Sequence, residues 1–217
     1  MGNFKHDLFE QFARIAKAMS NANRLEILEF LAQGEHSVDA LARVTGLSVA
    51  NTSQHLQLLR QSGLVSSQKQ GQKVYYRLSG DDVTELFGQL RNVAERHLAD
   101  VQQLVNDYLK TRDDLEPIPA QELLERVRAD LVTVLDVRPP EEYQSGHLPG
   151  AINVPLNELE SHFKNLDPEQ EIVAYCRGPH CILAFDAVAS LREKGLKARR
   201  LDGGFPEWKL AGLPVEG

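Results

Sequence analysis

The 217-residue sequence has only two cysteines, one tryptophan and no long hydrophobic run. Two cysteines are too few for a secreted scaffold stapled by disulfides. No apolar stretch approaches the roughly 20 residues that cross a bilayer, and residues 1–10 lack the apolar core of a secretory signal. We therefore expect a cytoplasmic protein with no membrane partner.

The net charge of −7 argues against a protein coated by nucleic acid. The charges are unevenly distributed, however. Residues 116–217 contain 11 Lys and Arg against 17 Asp and Glu. Residues 43–77 contain no Asp or Glu and five basic residues, Arg43, Arg60, Lys69, Lys73 and Arg77. This distribution predicts a local basic patch in the first half of the chain.

A charged segment with two prolines, residues 113–119, separates two patterns and predicts a linker. We expect one domain over residues 1–112 and another over residues 120–217. In the first, helices are predicted near residues 4–19, 21–34, 37–46, 48–63 and 82–110, with a hairpin at 64–78 whose tip is Gly71. Two helices joined by a short turn containing Gly46 indicate a helix-turn-helix, and the hairpin after it indicates a wing.

The second half changes periodicity. Short β-branched runs at residues 132–135, 151–154, 172–175 and 198–201 alternate with helical patterns at 120–128 and 182–194. This alternation predicts an α/β domain with a parallel sheet flanked by helices. The fold class is therefore multidomain, a mainly-α winged helix-turn-helix followed by an α/β domain.

Polar side chains occupy the start of the fourth predicted helix. An α-helix fits the major groove of DNA, where Asn and Gln pair with adenine edges. The candidate base-reading residues are Ser48, Asn51, Thr52, Ser53, Gln54 and His55. Lys69, Lys73 and Arg77 of the wing would contact phosphates. The alternative is a solvated helix face beside an ordinary hairpin.

Residues 8–110 resemble the ArsR/SmtB family of winged-helix repressors, through segments 22–28, 48–59 and 63–65. The resemblance implies a homodimer, held by the first helix and helix 82–110, on palindromic double-stranded operator DNA. Some relatives sense metals, but residues 35–46 hold no Cys. On the last helix, Leu86 and Thr84 stand where the partners of His97 would be needed. We expect no metal site and no cofactor.

Residues 118–217 resemble the rhodanese family through three segments: LDVRPPEEY with GHLPGAINVP at 135–155, VAYCRGPHC at 173–181, and LDGGF at 201–205 with Trp208. The resemblance implies that Cys176 accepts sulfane sulfur as a persulfide and passes it on. The active-site loop would comprise Arg177, Gly178, Pro179, His180, Cys181 and Ile182.

The position of Cys176, between a strand and a helix, suits this chemistry. Amides and the dipole at a helix N-terminus lower a thiol pKa. Arg177 would add positive charge for an anionic donor such as thiosulfate, and Asp136 and Arg138 would brace the loop through hydrogen bonds. The alternative is an inert, buried cysteine.

The loop departs from the usual rhodanese pattern. Gly178 comes one position early, and Pro179 removes an amide donor. Cys181 supplies a second thiol that could attack a Cys176 persulfide, or else it simply packs as the first helical residue. A phosphatase loop would need Arg at position 182, where Ile182 stands.

Three functions follow. The first is a DNA-binding regulator that responds to sulfane sulfur carried on Cys176. The second is a sulfurtransferase tethered to a DNA-binding domain. The third is a regulator whose second domain binds a ligand without catalysis. Whether the chain turns over as an enzyme stays open.

Overall fold

The computed structural model describes residues 3–111 and 116–217. Internal contacts group the chain into two compact units, Met1–Leu90 and Arg91–Gly217. The division falls inside one helix, α5, which spans Asp81–His97. Each unit is described below by itself.

The first unit begins with four helices. They are α1 (Phe4–Met19), α2 (Ala22–Leu31), α3 (Val38–Thr45) and α4 (Val49–Gln61). Local capping sets their ends: Ser37 Oγ accepts the amide of Ala40, and Ser48 Oγ accepts that of Asn51. Gly46, at φ 68°, ends α3 in the left-handed conformation that glycine adopts without strain. Helix α2 ends at Leu31, three residues before Gly34, where we expected its end.

The wing is a hairpin of β2 (Val65–Gln70) and β3 (Lys73–Leu78), and the short β1 (His36–Ser37) pairs with β3. Gln70 stands opposite Lys73, and Gly71 between them has φ 62°. Helices α2, α3 and α4 pack around fully buried Ile27, Leu41 and Leu56. Their apolar burial, at roughly 25 cal/mol per Å², holds the unit together. The predicted winged helix-turn-helix is confirmed.

The single helix predicted over residues 82–110 is interrupted, and this expectation was wrong. Helix α5 ends at His97, Leu98 is extended (φ −105°, ψ 110°), and α6 runs over Ala99–Val105 before a π-helical turn at Asn106–Lys110. Gln102 Nε2 donates to the Glu95 carbonyl at 3.0 Å, satisfying a carbonyl near the helix end. Because neither Gly nor Pro stands at the break, the sequence carries no local signal for it.

The second unit contains a four-stranded parallel sheet in the order β5-β4-β6-β7. Its strands are β4 (Val132–Asp136), β5 (Ile152–Asn153), β6 (Glu171–Tyr175) and β7 (Ala198–Arg200). The helices are α7 (Ala120–Arg128), α8 (Pro140–Gln144), α9 (Leu159–His162), α10 (Ile182–Glu193) and α11 (Phe205–Leu210). Short 3₁₀ turns cover Leu156–Glu158 and Phe163–Asn165. The predicted α/β domain is confirmed, although α8, α9 and α11 lack the long periodic patterns that signal helices.

Separate apolar clusters cover the two faces of this sheet. One includes Val134, Tyr175 and Trp208, and the other includes Leu135, Ala174 and Val188. Alternation along β4 and β6 places neighbouring residues in opposite clusters. Both faces are therefore buried, as in parallel sheets generally.

The predicted linker, residues 113–119, lies partly outside the described residues, at 113–115. Ile118 is fully buried, its amide donates to the Arg200 carbonyl at 2.8 Å, and it bridges to Leu201. Ile118, within the predicted linker, is therefore held against the chain that follows β7.

Candidate functional site

Helix α4 presents part of its predicted DNA-reading surface to solvent. Ser48 and Gln54 are exposed, and Asn51 and Ser53 are half-buried. Thr52 is fully buried and its hydroxyl donates to the Ser48 carbonyl at 3.0 Å, so its assignment to base reading was wrong. The helical period of 3.6 turns position 52 toward the core.

His55 and Gln57 differ from the expected pattern in opposite ways. His55 is half-buried, and burial together with the charge of Arg24 lowers its pKa. The lowered pKa favours the uncharged ring, and the base-reading role of His55 stays a prediction. Gln57 is exposed one turn beyond Gln54 and shares its side of the helix. Gln57 was not among the predicted base-reading residues, although its three-residue spacing from Gln54 places both on one side of a helix.

The basic residues of the wing lie at the surface. Lys69, Lys73 and Arg77 are exposed, and Arg77 Nε donates to Ser66 Oγ across the hairpin at 3.3 Å. The register pairs Lys69 with Val74, Gln70 with Lys73 and Ser66 with Arg77, so alternation puts Lys73 and Arg77 on one face of the hairpin and Lys69 on the other, near its tip. Their charges are thus available to an anionic backbone such as DNA.

The two cysteines lie in one loop at the carboxyl end of β6. Cys176 is fully buried, Cys181 is partly exposed, and their sulfur atoms are joined as a disulfide with the Cα atoms 6.1 Å apart. This separation is within the usual range for disulfides. The amide of Cys181 donates to the Gly178 carbonyl at 3.1 Å, which closes the loop as a tight turn. Cys181 immediately precedes α10, so the thiol pair faces a helix N-terminus.

A buried ion pair supports the strand end before Cys176. Arg138 and Asp136 are both fully buried, and Arg138 Nη2 lies 2.6 Å from Asp136 Oδ2. The hydroxyl of Tyr175 also donates to that carboxylate. Burial, then the charge of Asp136, raises the pKa of Tyr175, which keeps this hydroxyl protonated. The network fixes the residue directly before the thiol.

Arg177 is held by a carboxylate. Its Nη2 lies 2.7 Å from Glu142 Oε1, and its Nε lies 3.0 Å from both Glu142 oxygens. Glu142 is buried, so solvent screens this pair weakly. The expected positive charge for an anionic donor is therefore largely compensated, which the sequence analysis did not anticipate.

The segment 203–207 closes over the loop from the other side. The amide of Phe205 donates to the Cys176 carbonyl at 3.0 Å. A Cβ on Gly204 would lie 2.5 Å from that carbonyl oxygen and 2.6 Å from the Arg177 carbonyl carbon. Gly204 is thus required by the close approach of two backbone segments. The motif at 201–205 carried the family resemblance, but its contact with the thiol loop has no local signal in the sequence.

The remaining predicted loop residues take distinct positions. Gly178 is buried, Pro179 and His180 are half-buried, and Ile182 is exposed as the first residue of α10. Within residues 3–111 and 116–217, no three metal-ligating side chains come together. No helix in those ranges has the length and apolar character needed to span a membrane.

Comparison with known families matches both domains. Residues 21–67 match the bacterial regulatory protein, arsR family, and residues 119–211 match the rhodanese-like domain. The fold and its loop thus define a transcriptional regulator that joins an ArsR-type DNA-binding domain to a rhodanese domain.

A full-length relative is the HTH-type transcriptional regulator Rv0324 of Mycobacterium tuberculosis, 48% identical over 98% of this chain and 93% of its own. The chain belongs to the ArsR family of regulators and carries a C-terminal rhodanese-like domain.

Two solved structures each match one domain. The homodimeric winged helix-turn-helix domain of Mb0332 from Mycobacterium bovis is 42% identical, covering 46% of this chain and 93% of its own, with a TM-score of 0.43. A rhodanese-related protein from Thermoplasma volcanium is 32% identical, covering 47% of this chain and 98% of its own, with a TM-score of 0.42.

Proposed function

We propose that this regulator binds operator DNA with an affinity set by sulfane sulfur on Cys176, which Cys181 resolves. The observation that carries the proposal is the disulfide between these two residues. They are the only cysteines in the chain, and one loop of the rhodanese domain holds both. A second thiol within bonding distance makes a persulfide on Cys176 short-lived. Its attack on Cys176 leaves a disulfide, which is a stable signal.

The chemistry balances with a sulfane donor as the only co-reactant. The Cys176 thiolate attacks the outer sulfur of a polysulfide and expels the shortened polysulfide, leaving a Cys176 persulfide. The Cys181 thiolate then attacks Cys176 Sγ and expels hydrosulfide. Two thiols are oxidised to the disulfide, and the transferred sulfane sulfur leaves reduced as hydrosulfide.

The surroundings favour the thiolate without favouring highly charged donors. The N-terminus of α10 stabilises negative charge at the loop. Glu142 compensates Arg177, so a dianion such as thiosulfate gains less there than a low-molecular-weight persulfide, whose reacting –S–SH group carries at most one negative charge. We therefore propose low-molecular-weight persulfides as the preferred donor class, and inorganic polysulfide serves as a sulfane-sulfur probe.

We further propose a cytoplasmic homodimer on a palindromic operator. Large apolar side chains remain exposed along α1 and along α5 within the described residues, including Phe9, Phe12, Leu90 and Val93. A contiguous apolar stripe on a helix is typical of a dimer interface. Gln54 and Gln57 of α4 would read bases, and Lys69, Lys73 and Arg77 would contact phosphates.

Operator binding and intact mass, measured on the same samples, test the proposal. Reduced full-length protein is compared with protein treated with sodium tetrasulfide, for wild type, Cys176→Ser and Cys181→Ser. We expect a disulfide mass and a changed operator affinity in wild type, a lasting persulfide in Cys181→Ser, and no response in Cys176→Ser. An equal affinity change in wild type and Cys176→Ser contradicts the proposal.

A second candidate function is a sulfurtransferase tethered to DNA. It is favoured by the rhodanese match, which spans the whole domain over residues 119–211. Steady transfer of sulfur from thiosulfate or polysulfide to cyanide, with operator affinity indifferent to both donors, would support it. Absence of any adduct on Cys176 by mass spectrometry would instead favour a domain that binds a ligand without catalysis.

A further inference from the structure

The last turns of α5 contact the thiol loop inside the second unit, Arg91–Gly217. His180 Nε2 lies 3.2 Å from Glu95 Oε1. Arg91 Nη2 lies 2.7 Å from Glu207 Oε1, and Arg91 Nη1 would lie 3.5 Å from a Cβ on Gly178. Two α5 side chains therefore touch the two segments that enclose the disulfide.

Each of these contacts is directly linked to one of the two thiols. His180 is the residue immediately before Cys181. Glu207 accepts the amide of Gly204 at 3.0 Å, and the next amide, of Phe205, donates to the Cys176 carbonyl. The loop is thus anchored to α5 on both the Cys176 side and the Cys181 side.

The four side chains form a compact polar cluster. Burial lowers the pKa of His180, and Arg91 lowers it further, while Glu95 and Glu207 oppose that shift. The described charged groups facing His180 are these three. The contact between His180 Nε2 and Glu95 Oε1, at 3.2 Å, is short enough to depend on where the loop holds the ring.

Forming or opening the disulfide must displace either Cys176 or Cys181, together with the residues next to it. Cys176 is fully buried between the sheet and α10, so it has no room to move. Inserting one sulfur atom, or opening the disulfide, changes the link between the thiols by about 2 Å. The displacement therefore falls on Cys181 and on His180, which are partly exposed.

We propose that Arg91 and Glu95 are positioning residues through which the sulfur state of the loop acts on helix α5. The inference rests on the proposed function and names the route by which the loop acts. Helix α5 begins at Asp81 in the first unit and continues to His97 in the second, so its two ends are one continuous element. A displacement at Glu95 is carried along the hydrogen-bonded helix toward residues that follow the wing.

The test is the ratio of operator affinities between reduced and tetrasulfide-treated full-length protein. The variants are Glu95→Ala and Arg91→Gln, and the matched control is Glu85→Ala, which makes the same change as Glu95→Ala at an exposed position of α5. In each of the two loop-contact variants, we expect the ratio of affinities to lie about threefold closer to one than in the wild type. This is the size expected for a partly exposed polar pair. The control should keep the wild-type ratio, and all proteins should form the same disulfide by intact mass.

A double-variant cycle keeps the inference falsifiable if a single variant is poorly folded. Once Glu95→Ala is present, His180→Ala should change the ratio no further, because both remove the same contact. Wild-type ratios in both Glu95→Ala and Arg91→Gln, with normal disulfide formation, would overturn the inference and leave the proposed function intact. A wild-type protein that forms the disulfide without any affinity change would overturn the proposed function and, with it, this inference.

Discussion

Replacing Asp136 with Asn should destabilise the rhodanese domain strongly. Asp136 and Arg138 are both fully buried and share hydrogen bonds of 2.6–3.1 Å, and Tyr175 donates to the same carboxylate. Asp136→Asn leaves the Arg138 charge buried without its counterion. Breaking such a pair costs about 3–5 kcal/mol, whereas a partly exposed pair contributes about 0–1 kcal/mol.

The chain's single tryptophan allows the unfolding free energy of the rhodanese domain to be measured by fluorescence. Trp208 is buried in the same cluster as Tyr175, so its fluorescence during urea unfolding follows this domain. The control is Glu171→Gln, which weakens the partly exposed Arg126–Glu171 pair at the other end of the sheet. Adding Arg138→Met to Asp136→Asn should recover part of the loss, because it removes the stranded charge. A loss below about 1 kcal/mol for Asp136→Asn would refute the assigned role of the pair.

Three further outcomes follow from the two sites. Gly204→Ala should cost about 1–3 kcal/mol of unfolding free energy in the same urea assay, because its Cβ would overlap backbone at Cys176, and persulfide formation should fall with it. Glu142→Gln should raise the rate with dianionic thiosulfate relative to a low-molecular-weight persulfide, since it uncovers the charge of Arg177, and an unchanged rate ratio in stopped-flow donor assays would contradict the compensation argument. Lys73→Ala should weaken operator binding and reduce the salt slope by about one, and an unchanged slope in a salt titration would remove Lys73 from the phosphate contacts.

Local sequence signals predicted most of the elements correctly. Helix α1 and helix α7 have the predicted bounds, and Ser37 and Ser48, where helices were predicted to begin, cap α3 and α4. These features depend on interactions within a few residues, which a sequence displays directly. The break at Leu98 was missed because a heptad-like apolar pattern continues across it, and no Gly or Pro marks the change.

The sequence predicted which residues the candidate sites contain better than it predicted which way their side chains face. The sequence motifs predicted the site at Cys176 and Cys181. Thr52 was predicted to face DNA, but it faces the core. A single helical step rotates a side chain by about 100°, so a polar residue within a polar run can still point inward. Which polar residues do so depends on the helices packed against α4.

The sequence by itself determined the two domain types, the thiol pair and the basic wing, because each is encoded by residue type and short-range spacing. Only the tertiary structure decided what surrounds Cys176. Glu142 neutralises Arg177 across 35 positions of sequence, and Gly204 approaches the loop from another segment. Such contacts join loops and helix ends that the sheet brings together. Their energies depend on burial and distance, which no local pattern of residues specifies.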